Sequence, residues 1–214
     1  SEMTDTQHIL TDVCNVLNTP IAYIQKNRIV ALTGTDDTDS VHSLMEAGER
    51  LVSLASEKYG LKNMYFALGS QITHKNTIKS SYRDAVNTVR AVDVYPIDRK
   101  CRNCAELPAI IKMLFRTDDR DFIRSCYEQE LGGIIEYDRK HNAELLITLE
   151  RFFEENCNAS RAADKLYIHR NTMNNRLRLI FDILGHNCSD PEKRFAAENA
   201  IYCFKYLNMQ EEQK

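Results

Sequence analysis

Between Asn158 and Leu184 the small and apolar residues follow a spacing that few folds accommodate. Ala162, Ala163 and Leu166 share one side of a short helical stretch. The turn Tyr167-Ile168-His169 follows, and a longer helical stretch starts at Arg170. Two helices crossing at about 8–10 Å need a small residue where they touch, and Ala163 supplies it. Ile168 in the turn, with Met173 and Leu177 beyond it, fills the angle between the two. This order of small, apolar, turn and apolar-pair positions is the arithmetic of a helix-turn-helix.

The second stretch has two sides. At about 100° per residue, Met173, Leu177, Ile180 and Leu184 form one stripe, which must be core. Asn171, Asn175 and Arg178 fall opposite, with Arg170, Thr172, Asn174 and Arg176 on the flanks. Amides, guanidiniums and a threonine suit the edges of base pairs. Asn can bond adenine bidentately, Arg can fork onto guanine, and Thr can bond phosphate or touch a thymine methyl. Charge agrees. Residues 158–180 carry five basic side chains against one acid, in a chain of net charge −3, so the remainder stands at −7. An acidic body with one basic patch fits a DNA-binding module joined to a regulatory part. The plainer reading of such a face is an amphipathic helix wetted by solvent; the turn spacing and basic excess favour DNA.

The spacing predicts Arg170, Asn171, Thr172, Asn174, Asn175, Arg176 and Arg178 in or beside the major groove, with Arg161 and Lys165 on phosphates. His169, at the start of the second helix, reads as a cap or a phosphate contact. The partner is therefore double-stranded DNA. A single helix-turn-helix reads few base pairs, so a homodimer is expected.

Upstream, the order is helix, hairpin, helix, strand, helix, an α+β pattern with a small antiparallel-type sheet. Ile9 to Leu17 has helical spacing, Ile21 and Ile29–Leu32 are β-type with Lys26-Asn27 as the turn, and Val41 to Ala55 is a long amphipathic helix. Met64–Leu68 reads as a strand closed by Gly69, and Ile78–Val92 as a helix. From about Glu106 all segments read as helices, with Gly132-Gly133 and Tyr137–Asn142 as the candidate hinge. The expected domains are 1–104, α+β; 105–141, a helical linker; and 142–214, all-α with the helix-turn-helix.

The stretch Asn158-Ala159-Ser160-Arg161-Ala162-Ala163-Asp164-Lys165-Leu166-Tyr167-Ile168-His169-Arg170-Asn171-Thr172, followed by Arg176-Leu177, resembles the C-terminal helix-turn-helix of PucR/CdaR-type bacterial transcriptional regulators. The similarity extends over about residues 137–207. Asn175 departs from it, since the family usually has an aromatic there. Ser80-Ser81-Tyr82-Arg83-Asp84-Ala85 and the strand ending at Gly69 resemble the degenerate GGDEF-like domain of the same family. The resemblance implies a GGDEF-like α/β sandwich before the DNA-binding domain and an upstream sensor domain, which is expected to lie outside this chain; the sequence names no small-molecule effector.

Enzymatic readings fare worse. Cyclases of the parent fold need an acidic, glycine-containing hairpin for metal and triphosphate, and here the hairpin reads Gln25-Lys26-Asn27-Arg28. A divergent cyclase or hydrolase is the alternative, as is a protein-interaction module that never meets DNA. No catalytic residue, metal ligand set or cofactor site is expected. Cys101-Arg102-Asn103-Cys104 has the spacing of half a zinc site or of a redox pair. No second Cys-x-x-Cys or His-x-x-x-His exists, though distant Cys126 or His141 could complete a site in space, and incidental thiols are the plainer reading. His186-Asn187-Cys188 reads as a neutral loop, and Asp36, Asp37 and Asp39 as a helix start, not a calcium loop. Seven cysteines without a secretory signal read as reduced thiols of a cytoplasmic protein. No apolar run approaches the ~18 residues of a membrane span.

Overall fold

A computed structural model describes residues 2–19, 21–34, 40–72, 74, 77–95 and 99–212. The Asp36–Asp39 cluster lies outside them. The chain folds as two compact units, residues 1–92 with 96–108, and residues 93–95 with 109–214.

The first unit is α+β. Helix α1 (Glu2–Val16) leads into the hairpin of β1 (Ile21–Gln25) and β2 (Arg28–Leu32). These pair antiparallel from Ile21 opposite Leu32 to Gln25 opposite Arg28. Lys26, at φ 56°, takes the left-handed conformation that so short a connection demands. Helix α2 (Ser40–Tyr59) lays Ala47 and Leu51 against Val13 of α1 and Leu17 just after it, with Ile29 and Ala31 of β2 beside them. Spacings of three and four residues on α1 and α2 bring those side chains onto one stripe each.

Strand β3 (Phe66–Leu68) pairs in parallel with β4 (Cys101–Asn103), and α3 (Ile78–Arg90) runs between them. Among the described residues the expected antiparallel-type sheet is thus corrected to two separate two-stranded sheets, one of them parallel. Parallel neighbours require a crossover connection, and α3 provides it. The sequence pattern gave no sign of β4, because three residues are too few for an alternation to register. Gly69 ends β3 where a Cβ would stand 2.1 Å from the carbonyl oxygen of Ser81 on α3, so only glycine admits that approach.

The second unit is helical: α4 (Ala109–Leu114), α5 (Arg120–His141), α6 (Leu145–Glu154), α7 (Ala159–Lys165), α8 (Arg170–Leu184) and α9 (Pro191–Glu212). The stretch read as a linker carries α4 and α5, both of which pack in this unit. The proposed hinge at Gly132-Gly133 is corrected too, because α5 runs through both glycines and past Tyr137. A Cβ on Gly133 would meet Ile183 Cγ2 of α8 at 2.8 Å, so this glycine serves helix contact instead of bending. Ile123, Tyr127, Leu131 and Ile134 form the buried stripe of α5. Tyr127 meets Phe204 of α9 edge to face at 5.3 Å between ring centroids, a geometry that aromatic quadrupoles favour. The chain leaves α5 through Asn142, which is left-handed at φ 50°.

Leu131→Ala should cost about 2–5 kcal/mol, because Leu131 is fully buried and truncation there leaves a cavity. Urea unfolding followed by circular dichroism checks this. The thiols of Cys101, Cys188 and Cys203 are each pushed up to about 11 by burial. Below that pH they stay protonated, and only the thiolate is a good nucleophile. Iodoacetamide at pH 8 should therefore label the exposed Cys126 first, with those three slower by at least about 10-fold. Mass spectrometry of timed samples gives the order.

Candidate nucleic-acid interface

Helix α7 begins at Asn158, whose side-chain oxygen accepts from the backbone N–H groups of Ser160 and Arg161, each at 3.1 Å. That satisfies two of the donors that a helix start leaves orphaned. Ala162 and Ala163 are buried on α7, and Met173, Leu177 and Ile180 are buried on α8. These helices pack on each other and on α6, where Leu145, Leu149 and Phe152 are buried. The predicted stripe is core along most of its length, with Leu184 half-buried at its end.

Between the helices the turn is tight. Tyr167 is left-handed at φ 55°, and its backbone N–H reaches Asp164 O while that of Ile168 reaches Ala163 O. His169 caps α8, its Nδ1 accepting from Asn171 N–H at 3.2 Å. This makes Nε2 the nitrogen left to donate. Gly185, left-handed at φ 73°, closes α8 with its N–H on Phe181 O. Glycine carries no Cβ penalty there.

The side of α8 away from the core is open. Arg170, Asn171, Thr172, Asn174, Asn175 and Arg178 are all exposed, as are His169 and, on α7, Lys165 and Arg161. Arg161 also pairs with Glu155 at 3.1 Å while its own side chain stays two-thirds exposed. Arg176 differs from the rest of the expected set. Its side chain is only 22% exposed, and it donates to Glu144 Oε2 at 2.9 Å and Thr148 Oγ1 at 3.2 Å, both on the α6 side.

One residue escaped the sequence reading. Tyr167 is 96% exposed at the tip of the turn. The spacing assigned the plug of the helix angle to Ile168 and gave Tyr167 no role. Ile168, half-buried, takes the inward position.

Among the described residues no three His, Cys, Asp or Glu side chains gather as a metal site. Cys101 sits in β4 and Cys104 in the 3₁₀ turn after it, where Asn103 Oδ1 accepts from Ala105 N–H. No disulfide joins any of the seven cysteines. His186 pairs with Glu130 of α5 at 3.1 Å and lies 3.6 Å from Cys188 Sγ, an arrangement that ties the α8–α9 loop down.

A capped short helix, a tight turn and a longer helix with a buried stripe and an open polar side define a helix-turn-helix domain. Residues 145–202 match the model of the PucR C-terminal helix-turn-helix domain. The chain is 23% identical over 175 residues to the DNA-binding transcriptional activator AdeR of Bacillus subtilis, covering 82% of this chain and 42% of that protein. It is 24% identical over 170 residues to the proline-responsive transcriptional activator PutR of the same organism, covering 78% of this chain and 41% of PutR. Over 87 residues it is 32% identical to the purine catabolism regulatory protein of B. subtilis, 41% of this chain and 15% of that one. The chain thus spans about two-fifths of the length of the first two relatives.

Ala163→Leu should force α7 and α8 apart, since Ala163 is 2% exposed at their contact. Overpacking of this kind costs about 1–3 kcal/mol. A lower urea midpoint at unchanged slope is the expected result.

Proposed function

We propose that the second unit binds double-stranded DNA through the open side of α8, as the output part of a sequence-specific transcriptional regulator. The observation that carries this reading is the exposed set Arg170, Asn171, Thr172, Asn174, Asn175 and Arg178 standing over a buried stripe that fixes which way it points. Asn171, Asn175 and Arg178 are placed for base edges. Lys165, Arg161 and the Nε2 of His169 supply phosphate contacts, and Tyr167 adds a phenol within the same basic region. Relatives named as transcriptional activators support the reading.

The first unit has a supporting and non-catalytic role in this proposal, since the Gln25–Arg28 hairpin carries no carboxylate for a metal. Two copies acting on half-sites about one helical turn of DNA apart would give enough contacts for specificity. No helix among the described residues is long and apolar enough to cross a membrane, and a role on DNA in a bacterium places the protein in the cytoplasm.

Selection of duplexes from a randomised pool, then anisotropy titration, tests this. Binding should fall steeply as salt rises, because phosphate contacts release counterions. Lys165→Ala should weaken selected and random duplexes alike and lower the salt slope by about one, whereas Arg178→Ala should cost about 1–3 kcal/mol on the selected duplex alone. Equal losses on both duplexes from both substitutions would refute the division between phosphate and base contacts.

A further inference from the structure

Within the expected contact set, Arg161 pairs with Glu155 yet stays two-thirds exposed, whereas Arg176 is held at two points by its guanidinium and is only 22% exposed. Three residues past Met173, it stands about 60° from the buried stripe of α8, at the margin between core and groove side. Its Nη1 donates to Thr148 Oγ1 at 3.2 Å and its Nη2 to Glu144 Oε2 at 2.9 Å. Thr148 is fully buried, and its hydroxyl already donates to the carbonyl oxygen of Glu144 at 2.7 Å. That leaves its oxygen free to accept, and Arg176 is the donor that satisfies it.

The receiving end is itself anchored. Glu144 precedes α6 in the left-handed conformation, at φ 56°. The next two backbone N–H groups, of Leu145 and Leu146, donate to Asp138 Oδ1 at 2.7 Å and Oδ2 at 2.8 Å. Asp138 lies in the last turn of α5. One carboxylate on α5 therefore sets the start of α6, and the first turn of α6 receives the fork of Arg176 from α8.

Apolar packing is non-directional, so the Met173–Leu177–Ile180 stripe alone tolerates small rotations of α8 about its axis. A two-point guanidinium contact does not, because its donors are planar and fixed relative to each other. Rotation matters at the far side. A turn of about 20° moves atoms at the ~6 Å outer radius of a helix by roughly 2 Å, enough to break a bidentate contact to a base edge.

We infer that Arg176 is a positioning residue: held by Glu144 and Thr148, it sets the rotation of α8 and so the aim of Asn171, Asn175 and Arg178, without itself reading a base. This inference rests on the DNA-binding reading above. It differs from a phosphate or base contact in what its loss should do.

The test uses the full chain and two probes, the tightest duplex selected from a randomised pool on the wild type and a random-sequence duplex of equal length. Arg176→Met keeps the stem and loses the fork. Arg176→Lys keeps the charge and can reach only one of the two acceptors. Both should weaken the selected duplex by 10-fold or more, leave the random duplex within about 2-fold, and leave the salt slope unchanged. Glu144→Ala, which removes one of the two acceptors, should lower discrimination in the same direction as Arg176→Lys. Melting followed by circular dichroism accompanies each variant, and Arg176→Lys serves if Arg176→Met does not fold. The inference is overturned if discrimination survives both substitutions, if the salt slope drops by about one as for a phosphate contact, or if Glu144→Ala leaves discrimination unchanged. A wild type that selects no duplex at all overturns the DNA-binding reading and the positioning role with it.

Discussion

Burial of one stripe on α8 governs the second unit. Met173, Leu177 and Ile180 leave water where α8 packs on α5, α6 and α7, and three such side chains are worth about 1.5–3 kcal/mol each. Because successive residues of a helix are about 100° apart, hiding that stripe turns Asn171, Asn175 and Arg178 outwards. Ala162 and Ala163 make it possible by removing bulk at the α7–α8 contact, and Gly133 plays the same part where α5 approaches Ile183 of α8. The polar face is thus a consequence of packing.

Polar contacts refine what packing begins. Asn158 and His169 cap α7 and α8, so each helix starts at a defined residue and the three-residue turn between them has a defined length. Asp138 does the same for α6 from a distance, across the turn that follows α5. Each of these groups satisfies backbone donors that would otherwise have to face water. The turn itself costs something, since Tyr167 holds a left-handed conformation that a non-glycine residue adopts at about 1–3 kcal/mol.

In the first unit the hairpin and the long helix α2 were legible because their apolar residues recur with the periods of strand and helix. The helices of the second unit were legible for the same reason, and α8 runs from Arg170 to Leu184 as the pattern indicates. Where the reading failed, the signal was of another kind. Strand β4 owes its form to its partner β3 and covers three residues, so no local alternation announces it. Gly132-Gly133 looked like a break because glycine disfavours helices by about 1 kcal/mol each. The helix continues there because the close approach of α8 needs one of those glycines.

What the chain alone determined is the identity of the helix-turn-helix, its turn, its buried stripe and its basic excess, because these are local in sequence and carried by spacing and charge. What only the tertiary structure decided is how that set divides. Arg176 and Arg178 are two residues apart and chemically identical, yet one is held by Glu144 and Thr148 while the other is exposed. Such differences depend on partners that lie up to 32 residues away, and no local pattern in the sequence encodes where a folded chain will place them.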